Sequence, residues 1–517
     1  MFSPAFSTFS RLLLLAALVA VPACNGSHDD ATDVQWSSNN PSEPGAANWS
    51  TILVAGPDAI RVAAPPLDNS ATTAEDMQEV RASLAALTPA QTSAVHKWDT
   101  NNPSEYWRDA LDDVILTSGW GPPNASRAYA LLGIAIHDAT ITAWNNQYFY
   151  KRRRPEQMDP AVHALVATPQ HPAYPSDQAA VASAASRVMI SLFPDKAAIF
   201  EALANEETES QVWGGLNQRA DLAAGTDLGN RVADAILAVA ASDRHVAEVY
   251  KDQDLDFLHP TPMTPARFTP FTPSATPYSD AITWDSLVAR RGSTYDDATP
   301  WVEAKPLEPT AGSWKPLVLA DADHFAIPPP PANSSPETTT CMQEIADYLN
   351  SRGDKGNFAG DYIIMKWAND QPGHWFLEAL DLQIRSHDLS APAAARATAL
   401  MNDAIYEALL VSWNLKWDYL KPRPYHLDPA MKTVIPTPAH PSYPSGHATV
   451  GGAGIAVLRA LFPENQSQYM GLLDEVNNAR VWGGVHYRFD MTAGNQLGED
   501  VTAEILARVH PDGTAGS

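Results

Sequence analysis

The amino-acid sequence contains one module written twice, at a constant offset of 269 residues. His171-Pro-Ala-Tyr-Pro-Ser176 corresponds to His440-Pro-Ser-Tyr-Pro-Ser445, and Val212-Trp-Gly-Gly215 corresponds to Val481-Trp-Gly-Gly484. Self-similarity at a fixed spacing indicates two copies of one structural unit. A chain of 517 residues can bury more than one core. We therefore expect two domains, over residues 76–245 and 345–512.

Each module is predicted to be helical. In 393–413 the apolar residues recur at three- and four-residue steps, which is typical of an amphipathic helix, and 127–144 repeats the pattern. Alternating strand patterns with tight-turn dipeptides are scarce. The predicted fold class is all-α, with two tandem helical bundles from an internal duplication.

The segments outside the modules are predicted to be irregular. Residues 246–344 form a Pro-rich connection, in which 258–336 contains 15 prolines and excludes a regular helix. Trp284, Trp301 and Trp314 favour an extended connection anchored on the bundles over a mobile linker. Residues 25–75 are predicted to be a flexible tether.

Residues 1–24 have the pattern of an export signal, with Arg11 followed by an apolar core and small residues before Cys24. The sequence before Cys24 is similar to a bacterial lipobox, which favours a lipid anchor at Cys24 over plain secretion. We expect an exported protein, either a lipoprotein of the bacterial cell envelope or a secreted one. The only other cysteine is Cys341, so no disulfide framework is expected.

The formal net charge of -26 argues against nucleic acid as a partner, because phosphate backbones require clustered Lys and Arg. An anion site in this chain must therefore be locally basic.

Three separated clusters in the second module supply such a site. The first contains Lys416 and Arg423, the second is Pro444-Ser445-Gly446-His447, and the third contains Arg480, His486 and Asp490. Cations and a Gly-rich turn at a helix start suit a tetrahedral oxyanion, and His447 could act beside it as a general acid or base. On a helix, His486 and Asp490 would share a face, so that Asp490 could orient the imidazole. Each cluster alone also fits a surface ion pair or a turn.

The first module provides an internal comparison. Scaffold positions such as Arg154, Ser176 and Asp221 match Arg423, Ser445 and Asp490. The charged and imidazole positions differ: Gln147 stands for Lys416, Asp177 for Gly446, Gln178 for His447, Gln211 for Arg480 and Asn217 for His486. This pattern is expected if one copy keeps the fold and the other keeps the chemistry.

The motifs Lys-x6-Arg-Pro, Pro-Ser-Gly-His and Arg-x5-His-x3-Asp resemble the signature shared by vanadium-dependent haloperoxidases and type 2 phosphatidic acid phosphatases. The sequence around His440 and His486 is similar to that of the haloperoxidase branch. The resemblance covers the second module, with the first as a degenerate copy.

The resemblance implies a vanadate cofactor and no haem. Lys416, Arg423 and Arg480 would neutralise vanadate, while Ser445, Gly446 and His447 would hydrogen-bond to its oxygens. His486 would be the metal ligand, and the catalytic residues would be His447, His486, Lys416 and Asp490. The partners would be hydrogen peroxide, a halide and a small organic acceptor.

Trp413 and His440 are candidates for the halide site, and their combination favours bromide or iodide without excluding chloride. Trp413 also has a twin, Trp144, and could belong to the core. Two other functions remain open: an acid phosphatase with a phosphohistidine at His486, and a catalytically silent envelope scaffold. The oligomeric state is left open by the sequence.

Overall fold

The structure is a computed structural model that describes residues 35–40, 42–245, 307–352, 357–428 and 430–509. The regular elements in these ranges are helices, and none of these residues is in a strand. The all-α prediction is therefore confirmed. No helix in the described ranges is both long and apolar enough to span a bilayer.

The helices of the first half run in a fixed order. They are α1 (Ala71–Ala85), α2 (Pro89–Trp98), α3 (Ser104–Ser118), α4 (Pro122–Tyr150), α5 (Pro155–Met158), α6 (Asp177–Leu192), α7 (Ala197–Trp213) and α8 (Arg219–Ala240).

The helices of the second half follow the same order. They are α9 (Pro336–Ser351), α10 (Phe358–Ala368), α11 (His374–Ser386), α12 (Ala391–Tyr419), α13 (Pro424–Leu427), α14 (Gly446–Leu461), α15 (Gln466–Trp482) and α16 (Arg488–Arg508). Helices α4 and α12 each have 29 residues, and α6 and α14 each have 16. The matching order agrees with a duplication, which stays a prediction about the origin of the chain. The second bundle begins at α9, earlier than the predicted boundary at 345.

Helices α4 and α12 pack against each other at the centre of the molecule. Their sequences predict one apolar face, but nearly every residue of both helices is buried. The reason is that each helix contacts its own bundle on one side and the other bundle on the opposite side. The close approach involves Gly133, where an added Cβ would lie 2.9 Å from the side chain of Asn402 and 3.3 Å from the backbone of Ala399.

The prediction of a flexible tether over 25–75 is wrong for the described part of that segment. The backbone N–H groups of Ile52, Leu53 and Val54 donate to the buried carboxylate of Asp138 on α4, at 2.7–2.8 Å. Because a buried carboxylate needs donors, this contact fixes the segment on the first bundle. Residues 1–34, with the export signal and Cys24, lie outside the described residues.

The described part of the Pro-rich connection is anchored on both bundles. Glu308 accepts hydrogen bonds from the N–H of Gly121 and the side chain of Asn124, while Leu307 N donates to Ala439 O at 2.9 Å. Trp314 is fully buried, as the predicted anchoring requires. Trp284 and Trp301 lie outside the described residues.

Candidate active site

Helix α14 begins where the second cluster lies. Ser445 is the N-cap, and its hydroxyl accepts from Ala448 N at 3.4 Å, so Gly446 is the first helical residue. A Cβ at Gly446 would lie 3.1 Å from the ring of Trp413. A glycine here therefore fits beside Trp413, and the backbone N–H groups of a helix start favour a bound anion.

Lys416, in the last turn of α12, is fully buried below this helix start. Its Nζ donates to the carbonyls of Pro441 at 3.0 Å and Ser442 at 3.2 Å, and also to that of Pro444. Burial and the charge of Arg423 hold the pKa of Lys416 well below its ordinary value. A neighbouring anion would offset both effects.

Arg423 links three segments of the site. Its Nε donates to His440 O at 3.0 Å, and its Nη1 donates to Val485 O at 2.6 Å and to His486 Nε2 at 2.7 Å. In the first copy, Arg154 makes the corresponding contacts with His171 O at 3.0 Å and Leu216 O at 3.2 Å. The carbonyl contacts common to both copies assign Arg423 a structural role in addition to its charge.

His486 is held in one orientation by Asp490. Its Nδ1 donates to Asp490 Oδ2 at 2.9 Å, and the same oxygen accepts from Ser442 Oγ at 2.5 Å and Tyr487 N at 3.1 Å. With Nδ1 protonated, neutral His486 keeps its lone pair on Nε2. Burial raises the pKa of Asp490 to about 6, and burial with the charge of Arg423 lowers that of His486 well below its ordinary value.

The expectation that His486 and Asp490 share a helix face is wrong. Helix α16 begins at Arg488, so His486 precedes the helix. The two side chains meet because Asp490 caps the helix start, where its carboxylate turns back towards the preceding residues.

Arg480, near the end of α15, is fully buried, and none of its three guanidinium nitrogens has a hydrogen-bond partner among the described residues. Burial lowers its pKa to about 9. Its charge lowers the pKa of Lys416, His447 and His486, which places all four groups within electrostatic range. A buried cation whose N–H groups have no hydrogen-bond acceptor is costly, so a bound anion would stabilise this group.

His447 lies in the first turn of α14. Its Nε2 donates to Trp367 O at 3.1 Å, which leaves Nδ1 as the acceptor in the neutral ring. Burial, reinforced by Arg480, lowers the pKa of His447 well below its ordinary value. The imidazole can therefore take up or release a proton at Nδ1.

Trp413 and His440 lie together beside the cations. Their ring centroids are 4.8 Å apart, and Trp413 Nε1 donates to Leu307 O at 3.2 Å. In the first copy, the rings of Trp144 and His171 are also in contact, with centroids 4.6 Å apart. The shared ring pair supports the structural interpretation of Trp413 that the sequence left open.

The structure thus brings all ten predicted site residues into one region, and it adds two groups that the sequence analysis missed. Ser442 donates to Asp490, and the carbonyl of Trp367 accepts from His447. Ser442 could have been found by comparing the two copies, because Ala173 stands at its position in the first. The Trp367 carbonyl could not have been found, because every residue has a backbone carbonyl and its position depends on the fold.

The corresponding region of the first copy is closed by its own side chains. Gln147 Nε2 donates to Pro175 O at 3.0 Å and Asp177 Oδ1 at 3.2 Å, and its amide oxygen lies 3.0 Å from His171 Nδ1. Asn217 Nδ2 donates to Ala173 O at 2.8 Å. Neutral amides whose hydrogen bonds go to fixed carbonyls and side chains need no anion.

The residues of the second copy fit a tetrahedral oxyanion such as vanadate or phosphate. Negative charge is favoured by the unpartnered guanidinium of Arg480, by the buried Lys416 and by the helix start at Gly446. Across the described residues, no group of three or more His, Cys, Asp or Glu could hold a metal cation on its own. His486, whose Nδ1 is held by Asp490, could supply one nitrogen ligand to such an oxyanion.

Residues 397–510 match the PAP2 superfamily. This part of the chain is a PAP2 superfamily domain. A vanadium-dependent bromoperoxidase of Ascophyllum nodosum is 36% identical over 101 residues, with 14% of this chain and 18% of that protein covered. The match therefore spans less than a fifth of the relative's length.

Among solved structures, the first bacterial vanadium-dependent iodoperoxidase matches with a TM-score of 0.55 at 22% identity, covering 78% of this chain and 96% of that one. A bacterial vanadium-dependent chloroperoxidase in its holo form matches with a TM-score of 0.49 at 15% identity, covering 76% and 94%. The iodoperoxidase match shows that most of this chain shares the all-α fold of that protein. The resemblance predicted from the sequence is confirmed.

Proposed function

We propose that the protein is a vanadium-dependent haloperoxidase that uses hydrogen peroxide to oxidise a halide to hypohalous acid. The observation that carries the proposal is Arg480, a fully buried cation whose three guanidinium nitrogens lack partners in the described structure. It is supported by the bromoperoxidase match and by the iodoperoxidase fold.

Vanadate would be held by the charges of Lys416, Arg423 and Arg480. The Ser445 hydroxyl and the Gly446 N–H would hydrogen-bond to its oxygens, and His486 would bind through Nε2. Bound vanadate supplies Lewis acidity without a change in oxidation state.

The remaining chemistry belongs to the side chains. Asp490 holds the proton of His486 on Nδ1, so the Nε2 lone pair stays available. Arg423 donates to that lone pair at 2.7 Å. A bound oxyanion would accept the hydrogen bond of Arg423 instead and leave Nε2 free to bind it. His447 binds Trp367 O through Nε2 and can move a proton at Nδ1. Lys416 adds positive charge that stabilises a developing negative charge on oxygen.

We propose bromide or iodide as the favoured halide. The fold shared with a bacterial iodoperoxidase supports this choice, and the packed rings of Trp413 and His440 are the candidate halide site, although Trp413 also has a structural role. The organic acceptor would be a small molecule. Export, through the signal predicted at residues 1–24, with a lipid anchor at Cys24, remains part of the proposal.

A phosphatase is the second candidate, because a PAP2 domain and an oriented His486 also fit phosphate transfer. In that reaction Nε2 of His486 would attack phosphorus and His447 would protonate the leaving oxygen. A silent envelope scaffold is the third, and the uncompensated charge of Arg480 argues against it.

One pair of assays separates these functions. A haloperoxidase brominates a phenol-type dye with peroxide and bromide, only after vanadate is added, and His486→Ala abolishes the reaction. Asn217→Ala, at the equivalent position of the first copy, should keep it. Release of phosphate from p-nitrophenyl phosphate, without halogenation by vanadate-loaded protein, would contradict the haloperoxidase proposal and favour the phosphatase. A folded protein inactive in both assays would favour the scaffold.

A further inference from the structure

A cavity of about 160 Å³ lies between the two bundles, away from the oxyanion-binding residues. Helices α3 and α4 form one wall, and α11, α12 and the loop before α11 form the other. Most of its surface comes from apolar side chains such as Ile115, Leu377 and Ile405. An apolar protein cavity of about 150 Å³ holds a benzene molecule, so this cavity has room for a single aromatic ring.

The polar groups of the cavity have unused capacity to accept hydrogen bonds. Asn402 is 5% exposed, lines the cavity and has no partner for its Oδ1, and Gln371 Oε1 also lacks a partner. Two carboxylates, those of Asp112 and Asp370, lie in the same lining. Tyr129 donates its hydroxyl to Asp112, and a carboxylate can accept several further hydrogen bonds.

The two copies differ at this cavity in one informative way. Asp112 on α3 corresponds to Asp381 on α11, and Leu377 on α11 corresponds to Arg108 on α3. Arg108 Nη1 donates to Asp381, and its Nη2 donates to Glu378 at 3.1 Å. Asp381 therefore has a guanidinium partner, whereas Leu377 offers Asp112 none.

The cavity therefore lies beside Asp112, a carboxylate whose equivalent in the other copy, Asp381, is paired with an arginine. Arg108, one turn before Asp112 on α3, and His374, in the cavity lining, both act on Asp112 electrostatically. The hydrogen bonds of Arg108 go to Asp381 and Glu378. Burial raises the pKa of Asp112, which is a cost that a bound cation would reduce.

We propose that this cavity is a binding site for an organic cation, in which a positively charged nitrogen pairs with Asp112 and donates to Asn402. The apolar body of the ligand, about the size of one aromatic ring, lies against Leu377 and Ile405. The site is separate from the oxyanion-binding residues, and ligand binding there requires no halogenation or phosphatase activity.

Binding is tested with benzylammonium as the probe, by calorimetric titration of the full chain in about 0.15 M salt, which screens the acidic surface. Benzyl alcohol and benzoate are the matched neutral and anionic probes. We expect one saturable benzylammonium site per chain, at least about tenfold tighter than benzyl alcohol, since a charged hydrogen bond is stronger than a neutral one. Benzoate should not bind.

The Leu377→Arg variant places in the cavity the residue found at the equivalent position of the other copy. Its guanidinium should pair with Asp112, fill the space and weaken benzylammonium binding at least about tenfold, whereas Leu377→Met should retain binding. Asp112→Asn should lower benzylammonium affinity to that of benzyl alcohol. If Leu377→Arg does not fold, Asp112→Asn decides the matter. Equal binding of all three probes to the wild type, or undiminished benzylammonium binding to folded Asp112→Asn, would overturn the proposal.

Discussion

Arg480 makes a residue-scale prediction that does not depend on activity. A buried charge without partners costs several kcal/mol, and an anion removes that cost. We expect Arg480→Met to leave the free energy of unfolding unchanged or higher in oxyanion-free buffer. Wild-type protein should gain about 2.7 kcal/mol when vanadate is at one hundred times its dissociation constant, and the variant should gain almost nothing. Urea unfolding with and without vanadate measures both quantities.

Gln211, at the position equivalent to Arg480 in the first copy, provides the control. It donates to Ser210 Oγ at 3.1 Å and carries no charge. Gln211→Met should therefore keep the full stabilisation by vanadate. An equal response of Arg480→Met and wild type would contradict the assignment of Arg480 to the oxyanion.

His171 makes the stability of the first bundle depend on pH. Burial lowers its pKa to about 4 in the folded protein, compared with about 6.5 in an unfolded chain. As the pH falls below 6.5, the unfolded state takes up a proton that the folded state does not, so the folded state loses stability. From pH 7 to pH 5 we expect the wild type to lose about 2 kcal/mol more than His171→Phe, which retains a ring against Trp144.

Urea unfolding at the two pH values measures this difference. The exposed His163 is the control, and His163→Phe should follow the wild type. If the wild type and His171→Phe lose the same stability on acidification, His171 takes up a proton in the folded protein as readily as in the unfolded chain, which would contradict the prediction.

At the scale of elements, the site depends on the close crossing of α14 and α16. A Cβ at Gly498 would lie 2.1 Å from the backbone oxygen of Thr449, and this crossing also lets Ser445 N donate to Asp490 O at 3.1 Å. Because backbone atoms cannot move aside cheaply, Gly498→Ala should cost about 1–3 kcal/mol and weaken phosphate binding by displacing Asp490 from Ser445.

Gly471 in α15 is the matched control, since nothing lies within 4 Å of an added Cβ there. Gly471→Ala should raise the free energy of unfolding by up to about 1 kcal/mol through helix propensity and leave phosphate affinity unchanged. Thermal unfolding and calorimetry on both variants test the crossing. A stable Gly498→Ala variant with normal affinity would contradict it.

Helix positions could be predicted from periodicity more reliably than helix ends. The pattern over 393–413 located the interior of α12 but not its extension to Tyr419, because the last turn is held by contacts of Lys416 with a distant loop. The start of α14 at Gly446 could be predicted from Ser445 as a cap. The capping role of Asp490 was missed, since a helix start at Arg488 lacks the usual Ser, Thr or Asn.

At the scale of the whole molecule, the all-α fold and the location of the site could be predicted because the chain contains its own comparison. The second copy alone has Lys416, His447, Arg480 and His486, and those positions meet in space. The packing of residues 42–75 on the first bundle could not be predicted. It depends on backbone donors that meet the distant carboxylate of Asp138, and composition carries no sign of such a contact.

The two bundles lead to a prediction about stoichiometry: one oxyanion per chain, despite two related modules. In the first copy Arg154 donates to His171 O at 3.0 Å and to Leu216 O at 3.2 Å, so its charge is bound to fixed dipoles. Arg154→Met should lower the free energy of unfolding by about 3 kcal/mol, because buried carbonyls lose their donor, and should leave one phosphate or vanadate bound per chain.

Arg423→Met should lower both stability and oxyanion affinity, since Arg423 combines that structural role with a charge that faces His486. Calorimetric titration of the two variants separates these effects. Two oxyanions per wild-type chain would show that the first copy also binds one.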